Sequence, residues 1–151
     1  MAKKILFVCT GNTCRSSMAE AIARKMLRDR KKQDQVQVFS AGTCALPNAR
    51  ATEQAVAVMR EMGIDLRAHR ATLLTPELVK EAGLVLTMTG AHKEQVKRLI
   101  PEAQEKVFTL AEFAGAGADI LDPIGKPADV YRQCAAELRY LVGLALDKLK
   151  D

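Results

Sequence analysis

A cysteine and an arginine stand six positions apart where an apolar run gives way to a helical pattern. The segment LFVCTGNTCRSSMAE, residues 6–20, contains Cys9, Arg15, a glycine and several hydroxyl side chains. A thiolate is a strong nucleophile, and a planar guanidinium can bind two oxygens of one phosphate group. The pair therefore indicates phosphoryl transfer through a cysteine, provided that the fold brings both side chains to the same anion.

The segment between these elements has the composition of an anion-binding loop. Lys4 to Val8 is a short apolar run that suits a buried parallel strand, and the helical pattern begins near Ser17. A tight loop before a helix can direct several backbone N–H groups at one point, where the helix N-terminus adds unpaired donors. Gly11 is expected to allow a backbone conformation closed to other residues, and Asn12 to tolerate the left-handed region and hold the loop with its amide.

The backbone N–H groups and the helix N-terminus that attract an anion also act on Cys9. Backbone amides, the helix dipole and Arg15 favour the thiolate, which is placed for in-line attack on phosphorus to form a phosphocysteine. Arg15 would clamp equatorial oxygens and stabilise the transition state, while Ser16 would donate its hydroxyl to the sulfur and help it leave. The residues predicted to bind the substrate phosphate are Thr10, Gly11, Asn12, Thr13, Cys14, Arg15 and Ser16.

A cysteine and an arginine at this spacing also occur together by chance. The alternative is that Cys9 is an apolar residue at a strand end and Arg15 a surface cation. A buried strand before the loop and a capping-box pattern from Ser17 to Glu20 after it favour the functional interpretation.

Two aspartates late in the chain are candidates for the proton that a leaving group needs. Asp122 precedes Pro123, which biases it away from helix, and a loop carboxyl group beside an anion favours its protonated form and can act as a general acid. Asp119 is the rival, and Asp-Pro is also an ordinary turn signal. The residues alone leave the choice open.

The rest of the chain predicts the sheet that positions this loop. Three further strands are predicted, over residues 36–42, 83–89 and 106–110. Helices are predicted to begin near Ser17, after Thr52 and after Thr75, and to span residues 91–99 and 128–150. The alternation indicates an α/β fold: a single domain over residues 1–151, with a four-stranded parallel sheet, helices on both faces and the phosphate loop after the first strand.

Composition and charge narrow the class of protein. The chain has 151 residues, and no apolar run approaches the length of a membrane span. The basic start is followed by an apolar run too short for a signal peptide, which favours a cytoplasmic protein. A net charge of +5 is compatible with an anionic substrate.

The basic run over residues 24–32 fits a solvated helix face better than a nucleic-acid site, and no aromatic residues interleave with it. Cysteine and histidine spacing does not fit a zinc site.

Four motifs in order resemble the low-molecular-weight protein tyrosine phosphatase family: CTGNTCRS from Cys9, SAGT from Ser40, HRAT from His69, and DP at Asp122. The resemblance implies Cys9 as nucleophile, Arg15 as phosphate clamp, Asp122 as general acid, and neither a metal nor an organic cofactor. The loop, the MT dipeptide at residues 88–89 and the LDPIG segment at residues 121–125 look most like the bacterial protein arginine phosphatases.

Two departures from the family pattern and one loop residue bear on the substrate. Ser17 stands where proline is usual, and Ile124 and Gly125 stand where tyrosine-specific members have tyrosines that stack on the substrate ring. Thr13 offers a hydroxyl that can meet the N–H groups of phosphoarginine, where tyrosine-specific relatives have isoleucine. The sequence therefore predicts a phosphatase acting on phosphoarginine in proteins, with phosphotyrosine as the alternative.

The sequence argues against two other functional classes and predicts roles for further cysteines and histidines. An arsenate reductase would have a cysteine pair near the third strand, and residues 81–94 contain none; a non-catalytic binding module would be expected to lose the nucleophile or the acid. Cys14 is expected to form a reversible disulfide with Cys9 and so to protect it from irreversible oxidation. We expect His69 to support the loop, His92 to lie on a helix surface, Cys134 to lie in the core and the protein to be a monomer.

Overall fold

The apolar run near the N-terminus forms the central strand of a parallel sheet in the computed structural model, which describes residues 3–149. Its side chains alternate between two buried clusters: Ile5 and Phe7 pack into the larger one, and Leu6 and Val8 into the smaller one. A strand that is apolar on both sides requires helices on both faces of the sheet, as the sequence predicts.

The sheet has four parallel strands in the order β2-β1-β3-β4. The strands are β1 (Lys3–Cys9), β2 (Val36–Gly42), β3 (Leu84–Thr87) and β4 (Val107–Thr109). In the register, Cys9 lies opposite Gly42, Val8 opposite Thr87, and Thr87 opposite Thr109. The carboxyl ends of all four strands therefore meet at one edge, where ligands bind in sheets of this kind.

Within residues 3–149, six α-helices cover the sheet. They are α1 (Arg15–Asp29), α2 (Glu53–Glu61), α3 (Pro76–Glu81), α4 (Gly90–Leu99), α5 (Leu110–Ala114) and α6 (Ala128–Lys148). A 3₁₀ helix, Pro101–Lys106, precedes β4. The larger buried cluster contains residues of α1, α2, α5 and α6, and the smaller one residues of α3, α4 and the 3₁₀ helix. Among residues 3–149, no helix is both long enough and apolar enough to cross a membrane.

The predicted start of α1 is wrong by two residues, and so is the predicted capping box. The helix begins at Arg15, and Cys14 at its N-cap makes no side-chain cap. The hydroxyl of Ser17 donates to the carbonyl of Cys14 at 3.0 Å, while the carboxylate of Glu20 accepts from Ser40 and Arg24. The first turn of α1 is thus left without a side-chain cap, as an anion-binding helix terminus requires.

The region after β3 also differs from the prediction. The fourth strand is shorter than predicted, and the expected loop after it begins with helix α5. Thr109 and Glu112 form a capping box that starts this helix, and Gly115 ends it with φ 77°. A five-residue helix is too short to show the apolar periodicity that predicts helices from sequence. The last helix ends at Lys148; its predicted final residue, Lys150, lies outside the described residues.

Candidate active site

Cys9 is the last residue of β1 and is buried at the carboxyl edge of the sheet. Its Sγ accepts the backbone N–H of Asn12 at 3.3 Å and lies 2.8 Å from the hydroxyl oxygen of Ser16. That oxygen itself accepts from the side-chain amide of Asn12 at 2.8 Å. The sulfur is closer to the Ser16 hydroxyl than the Ala41 carbonyl, which is 3.5 Å away, and a thiolate, having no hydrogen of its own, would accept the hydroxyl hydrogen of Ser16.

Asn12 holds the phosphate loop in shape. Its backbone is left-handed, with φ 58°, and its side-chain oxygen accepts the N–H of Thr72 at 2.9 Å. The ring of His69 bonds to the Asn12 carbonyl with Nε2 at 2.7 Å, so His69 supports the loop as predicted. The role expected for Gly11 is wrong: Gly11 has no positive φ, and Asn12 supplies the left-handed residue of the turn. The side-chain amide of Asn12 bonds two neighbours, Ser16 and Thr72, and alanine could bond neither.

The end of β2 packs directly behind the same loop. A Cβ atom on Gly42 would lie 2.3 Å from the carbonyl oxygen of Thr10 and 2.9 Å from the backbone nitrogen of Asn12. The next residue, Thr43, donates its N–H to the carbonyl of Cys9 at 2.9 Å. The SAGT and HRAT motifs thus both serve to fix the loop from behind.

Arg15 projects its guanidinium toward the space in front of the loop. The side chain is buried, and Nη1 donates to the carbonyl of Ile120 at 2.9 Å. Nη2 lies 3.5 Å from a carboxylate oxygen of Asp122, and the buried Nε has no hydrogen-bond partner. A buried donor without an acceptor is costly, by about 1–3 kcal/mol. One edge of the guanidinium is therefore anchored through Nη1. On the other edge, Nε is unbonded and Nη2 is paired only with the partly exposed Asp122, so this edge can bind two oxygens of an anion.

Asp122 is the carboxyl group that faces this site. Its Oδ1 accepts the backbone N–H of Ile124 at 3.1 Å and the thiol of Cys14 at 3.7 Å, and its side chain is 42% exposed. The rival, Asp119, instead accepts the N–H of Gly90 at 3.1 Å and so fastens its loop to α4. The geometry favours Asp122 as the acid, because it is the one of the two whose carboxylate lies beside Arg15.

Burial keeps two of the thiols, those of Cys14 and Cys134, protonated. Burial, followed by the charges of Cys9 and Asp122, raises the pKa of Cys14 to about 12, so Cys14 is a protonated donor at neutral pH. Cys134 lies in the core, as predicted, and burial raises its pKa to about 12. Cys44 is exposed, and all four cysteines are free thiols. The disulfide between Cys9 and Cys14 stays a prediction.

His92 is a residue of the site that sequence reasoning missed. The expectation of a helix-surface residue is wrong, because His92 is 4% exposed and its Nε2 lies 2.8 Å from the hydroxyl of Thr10. Its Nδ1 lies 2.9 Å from the hydroxyl of Thr89, the N-cap of α4. Burial, and next the charge of Arg15, lowers the pKa of His92 to about 4, so the ring is neutral at physiological pH. A Thr-x-x-His pattern directly after a buried strand was the available signal.

Thr13 forms part of the loop wall. It is half-buried, and its carbonyl accepts the N–H of Thr52, the N-cap of α2, at 3.0 Å. Among the described residues no side-chain hydrogen bond uses its hydroxyl. Across residues 3–149 no group of three or more histidine, cysteine or acidic side chains is arranged to hold a metal ion.

A buried thiol at a strand end, an uncapped helix N-terminus and a half-free guanidinium define a class: phosphatases that act through a cysteine on an α/β sheet. A family model described as low molecular weight phosphotyrosine protein phosphatase matches residues 4–151. The chain belongs to this family.

Relatives of known function and structure are similar over nearly the whole chain. A protein-arginine-phosphatase of Geobacillus stearothermophilus is 43% identical, covering 99% of this chain and 98% of its own. A protein-arginine-phosphatase of Bacillus subtilis strain 168 is 44% identical, covering 97% and 96%. The crystal structure of a low molecular weight protein tyrosine phosphatase from T. tengcongensis is 42% identical, with a TM-score of 0.93 and coverage of 98% and 100%. Sequence identity alone therefore does not distinguish phosphoarginine from phosphotyrosine as the substrate.

Proposed function

We propose that this protein hydrolyses phosphoarginine in proteins through a phosphocysteine on Cys9. The observation that carries the substrate assignment is the Thr13 hydroxyl, which has no partner in the described part of the chain and lies in the loop that surrounds the nucleophile. The similarity to two proteins named protein-arginine-phosphatase supports the same choice.

The first half of the reaction transfers the phosphoryl group to sulfur. The Cys9 thiolate attacks phosphorus, the bond between phosphorus and the guanidino nitrogen breaks, and Asp122 gives its proton to that nitrogen. The free edge of Arg15, Nε and Nη2, binds two equatorial oxygens, together with the loop amides. Arg15 is already anchored through Ile120, so little reorganisation is needed when the transition state forms.

The second half returns the enzyme to its starting state. Asp122, now a carboxylate, accepts a proton from water, which attacks phosphorus and displaces the Cys9 sulfur. The departing thiolate is received by the hydroxyl of Ser16 at 2.8 Å and the N–H of Asn12 at 3.3 Å. Inorganic phosphate then leaves, and no metal or organic cofactor takes part in this scheme.

The wall of the pocket favours phosphoarginine over phosphotyrosine for a physical reason. A guanidino group carries N–H donors along its length, and a buried donor without an acceptor costs about 1–3 kcal/mol. The Thr13 hydroxyl can accept one of them. After Asp122 the loop presents Ile124, 57% exposed, and Gly125, so this segment offers no aromatic ring to stack on tyrosine.

The substrates in this proposal are phosphorylated proteins, and the protein acts as a cytoplasmic monomer that binds neither nucleic acid nor membranes. The mouth of the site is open enough for a side chain that projects from a protein surface, since most of the loop over residues 115–127 is exposed.

A comparison of two Thr13 variants tests the substrate assignment. Thr13→Val removes the hydroxyl at nearly constant shape, and Thr13→Ile adds bulk as well. The ratio of phosphoarginine to phosphotyrosine kcat/KM should fall by about tenfold or more in both variants, while Thr13→Ser keeps the wild-type ratio. An unchanged ratio, or an equal loss on both substrates, would make Thr13 a scaffold residue and return phosphotyrosine to equal standing.

A further inference from the structure

His92 is a buried polar side chain that the reaction scheme does not use. It lies on the first turn of α4, and each of its ring nitrogens contacts a hydroxyl group, one on Thr10 and one on Thr89. A neutral imidazole has one donor and one acceptor, so both ring nitrogens are satisfied only while both hydroxyls are in place. Such a fully bonded ring fixes the positions of the two groups that it joins.

The two ends of this bridge belong to different parts of the site. Thr10 is exposed and directly follows the nucleophile, and the described hydrogen bond of its side chain is the one to His92. Thr89 caps α4, and it also accepts the backbone N–H of His92 at 3.2 Å. The bridge therefore ties the residue after Cys9 to the N-terminus of α4.

The same helix terminus holds the loop that carries the acid. The N–H of Gly90, the first residue of α4, donates to Asp119, three residues before Asp122. Beside this, the carbonyl of Met88 accepts the N–H of Ile120 at 2.9 Å. The start of α4 is thus in contact with both the phosphate loop and the acid loop, and His92 is the side chain that completes the connection to the phosphate loop.

We propose that His92 is a positioning residue, which sets the distance between Cys9 and the general acid by bonding Thr10 to the N-terminus of α4. The inference rests on the proposed phosphatase reaction but not on the choice between arginine and tyrosine. Asn12 is held separately, by Thr72 and His69, so loss of the His92 bridge should disturb the alignment of nucleophile and acid more than the binding of phosphate itself.

The charged groups around the ring explain why it can serve this purpose. Burial, and next the charge of Arg15, disfavours a second proton on His92, whereas the charges of Asp122 and Asp119 favour it. The neutral ring keeps its pattern of one donor and one acceptor at neutral pH.

The test measures kcat on phenyl phosphate, an aryl phosphate whose basic leaving group needs the acid and which does not depend on the arginine assignment, and the inhibition constant of inorganic phosphate. His92→Phe keeps the ring volume without nitrogens, and His92→Gln returns an amide near the position of Nε2. His92→Phe should lower kcat by about tenfold, with the phosphate constant changed by less than about threefold; His92→Gln should recover most of the loss.

Variants of Thr10 provide a second test of the same bridge. Because Thr10 is exposed, we expect these variants to fold normally. Thr10→Val should lose as much kcat as His92→Phe, and Thr10→Ser should lose little. The double variant Thr10→Val/His92→Phe should be no worse than either single variant, since both remove one bridge.

Three outcomes would overturn the inference: unchanged kcat in Thr10→Val, additive losses in the double variant, or a parallel weakening of phosphate inhibition that accounts for the whole effect. A wild-type protein that hydrolyses the aryl phosphate but not phosphoarginine would overturn the proposed substrate alone and leave the test of His92 valid.

Discussion

The phosphate loop and the acid loop face each other across the site, but they are held very differently. In residues 9–16 five side chains are buried, and bonds from β2 and the HRAT segment hold the loop from behind. In residues 115–127 only Ile120 and Pro123 are buried. Near its middle the loop is fastened to the rest of the described structure through three residues, Asp119, Ile120 and Asp122.

The difference in burial between the two loops matches their different tasks, which are binding of phosphate and protonation of the leaving group. A phosphate group has the same size and charge in every substrate, so the residues that bind it can be fixed before binding, which lowers the cost of reorganisation. The leaving group differs between substrates, and the loop that protonates it must admit a side chain from another protein. The exposed Leu121 and Ile124 are where such a partner would make contact.

The largest loss of activity is expected from substitution of the nucleophile in the phosphate loop. Cys9→Ser should abolish turnover, because a serine hydroxyl in the same place is a far weaker nucleophile than a thiolate. Binding of inorganic oxyanions should be largely retained, since the loop amides remain, and can be followed by calorimetry. Cys44→Ser, at an exposed thiol, is the matched control and should keep full activity. Turnover by Cys9→Ser above contaminating activity would disprove the mechanism.

The next largest loss of activity is expected from the acid loop. Asp122→Asn should lower kcat by about 10²–10⁴-fold on substrates with basic leaving groups and less on activated aryl phosphates. Asp119→Asn should lose less, because Asp119 fastens the loop without facing Arg15. Steady-state rates on both substrate types decide the matter. If Asp119→Asn were the more damaging change, the acid would be misassigned.

A glycine can show how tightly the phosphate loop is packed. Gly42→Ala would place a Cβ atom against the backbone of Thr10 and Asn12, so the loop must shift. We expect a loss of about 1–3 kcal/mol in the free energy of unfolding and a clear fall in kcat/KM. Gly90→Ala, where an added Cβ atom meets nothing within 4 Å, is the control for thermal unfolding and activity. Equal behaviour of the two variants would contradict the packing argument.

Oxidation should distinguish the buried thiols from the exposed one. Mild peroxide should form a bridge between Cys9 and Cys14 that a dithiol reverses, and Cys14→Ser should make the inactivation harder to reverse. Peptide mass spectrometry identifies the bridge. Cys9 found paired with Cys44, or found only in over-oxidised forms, would refute this prediction.

The smallest expected effect is on the pH dependence of the free energy of unfolding. It involves His92 at the N-terminus of α4, which lies between the phosphate loop and the acid loop. The folded pKa of His92 is lowered to about 4 from 6.5, so the unfolded chain binds the proton first as the pH falls. His92 should therefore reduce stability below about pH 6.5, by up to about 1.4 kcal/mol per pH unit down to about pH 4. Urea unfolding at pH 7 and pH 5 should show a smaller decline for His92→Gln. An identical decline would mean that His92 titrates normally.

Much of this protein could be predicted from its sequence because the signals are local. Apolar runs identify the strands, Thr52 and Thr75 mark helix starts by their hydroxyls, and the cysteine-to-arginine spacing after a strand identifies an anion loop. These features follow from neighbouring residues and the backbone geometry that they favour.

Only the tertiary structure decided the features that depend on distant residues. It shows Asp122 rather than Asp119 beside Arg15, and it reveals His92 as a buried bridge to Thr10, 82 positions away in sequence. The helical pattern predicts that His92 lies near a helix start. It does not predict that His92 is buried at the carboxyl edge of the sheet. The reason is physical: parallel strands bring their carboxyl ends together whatever their separation along the chain, and burial and charge at that edge depend on all of them at once.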